Sequence, residues 1–154
     1  SAFNFQIDIR SLAEPRLITF AAVTRNIDAT ASRARAAGYQ VFGPRAGSRQ
    51  TPGGRLLRWS TLGVLNKLGS GGIEPVPFFI QWAADSPHPS QDSPGGCRLE
   101  SLPVVTPDAA ALRRALGALH LDVTAQAGAR AGLDIALRCP KGLVELRGDQ
   151  GSRK

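Results

Sequence analysis

The chain contains no methionine, two cysteines, two histidines, two tryptophans and one tyrosine in 154 residues, and each scarcity removes a class of protein. With only His88 and His120 available, a multi-histidine metal centre built within this chain is excluded. Cys97 and Cys139 offer one bridge at most and neither lies in a CxxC, so the expectation is reduced thiols rather than a disulfide framework. No apolar run approaches the roughly 18–20 residues that a membrane span requires, and the opening SAFNFQIDIR lacks a basic segment followed by an apolar one. A cytoplasmic protein is therefore expected. With no initiator methionine, the expectation is that the chain as given begins after processing, a tag cleavage or a truncation, and that sequence upstream is missing. Also absent are the P-loop, GxGxxG, GxSxG and HExxH, and with them the common nucleotide, hydrolase and zinc signatures.

Hydrophobic residues make up 42% of the chain, enough to bury one core or two small modules sharing one. The net charge of +7 raises the question of nucleic acid. The distribution answers against it: sixteen of the nineteen basic residues are Arg, scattered singly, with Arg113 and Arg114 the one adjacent pair. Isolated Arg among Ala, Gly and Pro reads as a solvated basic surface and as the residue usage of a GC-rich, bacterial genome.

One order of elements occurs twice, a strand and a helix followed by three strands, so the class is α+β. The first module covers 17–82. Leu17 to Thr24 reads as a strand, and Asn26 and Asp28 supply N-cap chemistry for a helix to about Ala37 that Gly38 ends. Tyr39 to Phe42 is a short strand, and GPRAGSRQTPGG from Gly43 reads as a long polar loop. Arg55 to Leu62 alternates Leu57, Trp59 and Thr61 against Leu56, Arg58 and Ser60, the period of a strand with one inward face. Pro77 to Trp82 closes the module.

A Pro, Ser and Gly-rich linker or lid is expected over 83–97. The second module, 98–148, opens on a strand from Arg98 to Val105. Thr106, Pro107 and Asp108 start a helix whose apolar stripe is Ala109, Leu112, Leu116 and Leu119. Strands follow at Leu121 to Gln126, Gly132 to Cys139 and Gly142 to Leu146, the last two joined at Pro140-Lys141-Gly142 as a hairpin. Residues 1–16 form a separate N-terminal segment and 149–154 a frayed tail.

Few residues carry chemistry. Gln81 in FIQW and Glu145 in LVEL hold the same place in the two copies, and Glu100 could join them as oxygen ligands of one divalent ion such as Zn, Ni, Mn or Fe. Against this stands a structural reading, in which Gln81 caps a backbone gap and the two Glu pair with Arg58, Arg98 or Arg138. Trp59, Phe78, Phe79 and Trp82, with Arg49 and Arg58, could line a cavity for a small apolar molecule bearing an anionic group, or could be plain core. His88, held between Pro87 and Pro89 with its imidazole free, is a catalytic candidate beside Glu145, whereas His120 sits at a helix end as an ordinary dipole partner.

The stretches AEPRLITFAAVTRNIDATASRARAAGY, TPGG-x-LLRW preceded by Arg49, PFFIQW, His88-Pro89-Ser90 and CPKGLVEL resemble glyoxalase-like proteins of the vicinal oxygen chelate superfamily over about Ile9 to Gly148. The resemblance implies paired βαβββ modules whose curved mixed sheets enclose a pocket, as in glyoxalase and bleomycin-resistance proteins. It also implies a homodimer, an upstream module, and an activity among lyase, isomerase, dioxygenase or resistance-type binding of a small molecule. The family's opening-strand His is replaced here by Thr19, and Glu100 stands one residue out of register in the second module. Enzyme and non-catalytic binding module both stay open at this point.

Overall fold

The computed structural model describes residues 16–148. They fall into two compact units, the first made of Ala21–Leu65 and Pro77–Gly95, the second of 16–20, 66–76 and 96–148. Each combines one ten-residue helix with a mixed sheet, an α+β architecture. Among the described residues no helix is long and apolar enough to cross a membrane.

In the first unit β1 (Ala21–Val23) leads into α1 (Ile27–Ala36), followed by β2 (Val41–Gln50), β3 (Leu56–Val64) and β4 (Phe78–Trp82). The sheet order is β1-β4-β3-β2, parallel only between β1 and β4. The helix starts where the sequence says it should. Asn26 Oδ1 accepts the Ala29 N–H at 2.9 Å, satisfying one of the first-turn donors that the helix itself leaves unpaired. At the other end Gly38, at φ +87°, turns the chain so that Tyr39 N–H returns to Ala34 O at 3.0 Å. Ile27, Ala31 and Ala34 are buried with Leu62 and Phe79, the small alanines letting the helix lie close to the strands.

The polar stretch after Gly43, expected as a loop, is largely strand. Arg45 to Gln50 pair residue for residue with Leu56 to Thr61 of β3. Cross-strand hydrogen bonds outweigh the poor strand propensity of Gly, Pro and Ser, and the register shift between Phe42 and Arg45 absorbs Pro44, which has no N–H for the ladder. The opening strand is shorter than the apolar run that suggested it, Ala21–Val23 instead of 17–24.

In the second unit the elements are β5 (Arg98–Ser101), β6 (Val104–Thr106), α2 (Ala109–Ala118), β7 (Ala125–Ala127), β8 (Gly132–Cys139) and β9 (Gly142–Arg147). The single strand expected over 98–105 is broken at Leu102-Pro103. Asp108 caps α2 by accepting the Ala111 N–H at 2.8 Å, and Leu112, Ala115 and Leu116 are buried with Val104 and Leu133. Strand β8 is the spine. Its first residues pair with β6, which pairs in parallel with β7, and its remainder lies between β5 and β9.

Two expectations are corrected here. Cys97 and Cys139, expected as free thiols, form a disulfide of 2.06 Å. They flank the cross-strand pair Arg98 and Arg138, so the antiparallel register of β5 and β8 puts the two sulfurs side by side. Secondly, the two modules share an element order but not a sheet order. The fourth strand of the first, β4, is interior, between β1 and β3, whereas the fourth of the second, β9, pairs with β8 alone among the described strands. Gln81 and Glu145 therefore do not come from matching strands.

The units also divide the chain elsewhere than at 82 and 98. Segment 66–76 belongs to the second unit, where Ser70 Oγ accepts the Ala131 N–H and Ile18 O accepts the Glu74 N–H. The Pro-rich segment 83–95 belongs to the first, tied to β3 by Ala83 N–H to Arg58 O at 3.0 Å and Arg58 N–H to Ser86 Oγ at 2.9 Å.

Candidate functional site

Strand pairing decides which candidates can meet, because cross-strand partners share a face and neighbours along a strand do not. Trp59 pairs with Gly47 and with Trp82, so these lie on one face of the first unit's sheet, joined by Arg49 through its pairing with Leu57. Gln81 pairs with Ser60, and Ser60 with Ala46, on the other face, where α1 packs. The aromatic and polar candidates thus divide between two sides of one sheet.

On the aromatic face the Trp59 and Trp82 rings are 5.5 Å apart, and the His88 ring meets Trp82 edge-on at 5.8 Å. Trp59 lies over Gly47, where a Cβ would come within 2.6 Å of its indole nitrogen. The indole N–H of Trp82 is buried and has no hydrogen-bond partner among the described residues. His88 is more constrained than its exposed position suggests. Its Nδ1 accepts the Ser90 N–H at 3.2 Å and lies 2.7 Å from Ser90 Oγ. The hydrogen-bond network assigns the proton of the neutral ring to Nε2.

On the helix face a cleft of about 660 Å³ opens where the first turn of α1 meets the strands. Ile27 and Asp28 border it from the helix, Ala46, Gly47 and Ser48 from β2, Arg58, Trp59 and Ser60 from β3, and Gln81, Trp82 and Ala83 from the end of β4. Gln81 Oε1 accepts the Ile27 N–H at 2.7 Å, which spends its carbonyl on a helix-start donor and leaves its amide NH₂ to donate. The Arg58 guanidinium is bonded to the Asp85 carboxylate, both more than half exposed. Phe79, a candidate for ligand contact, is 3% exposed and belongs to the core beneath α1. Asp28, Ser48 and Ser60 are not among the site residues expected from the sequence, where Asp28 reads as helix-start chemistry and Ser60 as part of the β3 alternation. The alternation that puts Ser60 opposite Trp59 carried the signal for that residue, but Ser48 was hidden in a stretch read as loop.

In the second unit Glu100 accepts both Arg138 Nε and Nη2, at 2.9 and 2.8 Å, and this charge-assisted fork holds its carboxyl below the usual range. Glu145, on β9 across from Ala136, is exposed with Arg147 at 3.9 Å. Glu74, unnoticed in the sequence, is half-buried under the glycine turn at 69–72, and desolvation pushes its carboxyl up despite a hydrogen bond from Asn66. The three proposed metal donors thus have other engagements: Gln81 with a backbone N–H, Glu100 with a bidentate arginine, Glu145 beside Arg147. Among the described residues no group of three or more His, Cys, Asp or Glu converges. This donor set does not fit a divalent ion, which asks for about three free protein ligands.

A mixed-sheet α+β chain with the order βαβββ run twice, and a cleft at a helix start, defines a fold class rather than a reaction. The family is specific: residues 2–120 match the model of the glyoxalase-like domain, and the chain belongs to that family. Among solved structures, a hypothetical protein from Staphylococcus aureus aligns with a TM-score of 0.56 at 17% identity, covering 84% of this chain and 51% of that one. At that identity the likeness speaks for the fold, and this chain spans about half the length of that protein. No curated protein matches.

Proposed function

We propose that this glyoxalase-like domain is a non-catalytic small-molecule-binding module whose ligand enters the cleft at the start of α1. The observation that carries this reading is the Gln81 amide. Its oxygen is committed to Ile27 N–H at 2.7 Å, which leaves its NH₂ to donate, and Gln81 borders a cleft of about 660 Å³ with Ser48, Ser60 and Arg58. Convergent donors in a concavity of that size suit a small carbonyl or carboxylate compound, the shape and chemistry of ordinary ligand sites. A metal-dependent enzyme would need Gln81, Glu100 and Glu145 to leave their present partners. As part of the same proposal the chain acts as a homodimer.

The test is a titration with small carboxylates and vicinal dicarbonyls, read by the fluorescence of Trp59 and Trp82. Saturable quenching by one compound, weakened about tenfold by Gln81→Glu, supports the reading. No saturable response from any compound, or equal affinity in Gln81→Glu, removes the cleft from consideration.

A further inference from the structure

The second unit holds its disulfide at the end of a sheet whose strands are also joined in other ways. Arg98 pairs with Arg138 and Leu99 with Leu137, so the antiparallel register sets Cys97 directly opposite Cys139. Cys97 is exposed and Cys139 half-buried. Beside the bridge, Glu100 on β5 accepts two hydrogen bonds from Arg138 on β8, at 2.9 and 2.8 Å. Strand β9 pairs with β8 from Asp134 to Cys139. Opening the S–S bond therefore leaves both strands in register and the two sulfurs opposed.

A thiolate attacks a disulfide in line with the S–S bond, from the side away from the sulfur that departs, so access along that line decides which sulfur reacts. The line to Cys139 passes β9, where Gly142 is the cross-strand partner. The line to Cys97 leaves the sheet, because β5 pairs with β8 alone among the described strands. Arg98, Arg138 and Lys141 lie within two residues of the cysteines and no carboxylate does. Glu100, one residue further, offsets Arg138. A departing thiolate thus enters a net positive surround, which favours its release.

We propose that this disulfide is a reversible exchange site for a low-molecular-weight thiol, with Cys97 the sulfur attacked and Cys139 the sulfur released. The incoming thiolate bonds to Cys97 Sγ as the bond to Cys139 breaks, and the electron pair of that bond departs on Cys139. A second thiolate attacks the small-molecule sulfur of the mixed disulfide and releases Cys97. Two small thiols are oxidised to their disulfide, the bridge gains two electrons, and the two protons they lose end on Cys97 and Cys139. In the reverse direction the Cys139 thiolate, still opposite Cys97, displaces the small thiol from the mixed disulfide and closes the bridge.

The test mixes the full native chain with reduced glutathione at neutral pH, quenches with N-ethylmaleimide and maps the peptides by mass spectrometry. The rate is expected to rise in proportion to glutathione concentration. Early adducts should carry glutathione on Cys97 and maleimide on Cys139, in about tenfold excess over the reverse pattern. Glutathione disulfide added to the reduced chain should restore the bridge, with far-UV circular dichroism unchanged throughout. A rate independent of glutathione concentration, or reaction only in denaturant, overturns the proposal, because exchange then waits on unfolding. Adducts on Cys139 in equal or greater amount overturn it too, as does a reduced chain that loses its circular dichroism or fails to reclose.

Discussion

At the residue scale, Gln81 has a role that its letter could not disclose. A glutamine inside PFFIQW must satisfy an amide among apolar neighbours, and the structure does so at the start of α1. Gln81→Leu leaves the Ile27 N–H without its acceptor, and we expect a loss of about 1–3 kcal/mol in chemical denaturation, the cost of an unsatisfied buried donor. Gln81→Glu keeps an acceptor at a helix start, where negative charge is favoured, so its stability should stay within about 0.5 kcal/mol of wild type. Equal losses in the two variants would mean that the hydrogen bond is not what the residue contributes.

Two carboxylates make opposite predictions with pH. The Glu74 carboxyl is raised above its ordinary 4.5 by desolvation. Its charged form is therefore disfavoured by folding, a penalty present at neutral pH and relieved as pH falls through the raised value towards 4.5. Glu100, depressed below 4.5 by Arg138, contributes stability that is present above 4.5 and lost as pH falls through its lowered value. Urea denaturation across pH 3–7 should show Glu74→Gln more stable than wild type at neutral pH, with the difference closing in acid. Glu100→Gln should be less stable at neutral pH and also converge in acid. Parallel pH profiles for wild type and either variant would contradict the assigned causes.

At the scale of elements, packing set by short-range chemistry was legible and pairing set by long-range register was not. The ends of α1 were written as Asn26 and Gly38, and the start of α2 as Asp108. The period of two in β3 was equally plain. It already implied that Trp59 and Arg58 point to opposite faces of the sheet. Strand β2 was illegible because Gly43 to Gln50 spells a loop, and only pairing with β3 makes it a strand. The disulfide was missed because two cysteines 42 residues apart say nothing of adjacency until β5 and β8 are in register. Closing a loop of that length stabilises by roughly 2–4 kcal/mol in the chain-entropy account. The double variant Cys97→Ser/Cys139→Ser, or reduction of wild type, should lower the unfolding free energy by about that much. Native protein should also yield no titratable thiol until reduced.

At the scale of the whole molecule, the likeness of the two modules is one of element order, and the difference in sheet order has a chemical consequence. A chelate site shared by repeats needs equivalent strands to present equivalent donors. Here β4 is interior and β9, among the described strands, pairs with β8 alone, and the donors on them are respectively a helix cap and an exposed carboxylate beside Arg147. Glu100 cannot make up the set without surrendering two hydrogen bonds to Arg138. We therefore expect elemental analysis of protein purified without chelator to find well under one equivalent of Ni, Zn, Mn or Fe. Added divalent ions should shift the melting temperature of wild type and Glu145→Ala alike, through nonspecific contact with surface carboxylates. Near-stoichiometric metal that disappears in both Gln81→Ala and Glu145→Ala would reverse the conclusion. It would show that ion binding repays the broken cap and arginine contacts, and it would make this domain a metal-dependent enzyme of its family rather than a binding module.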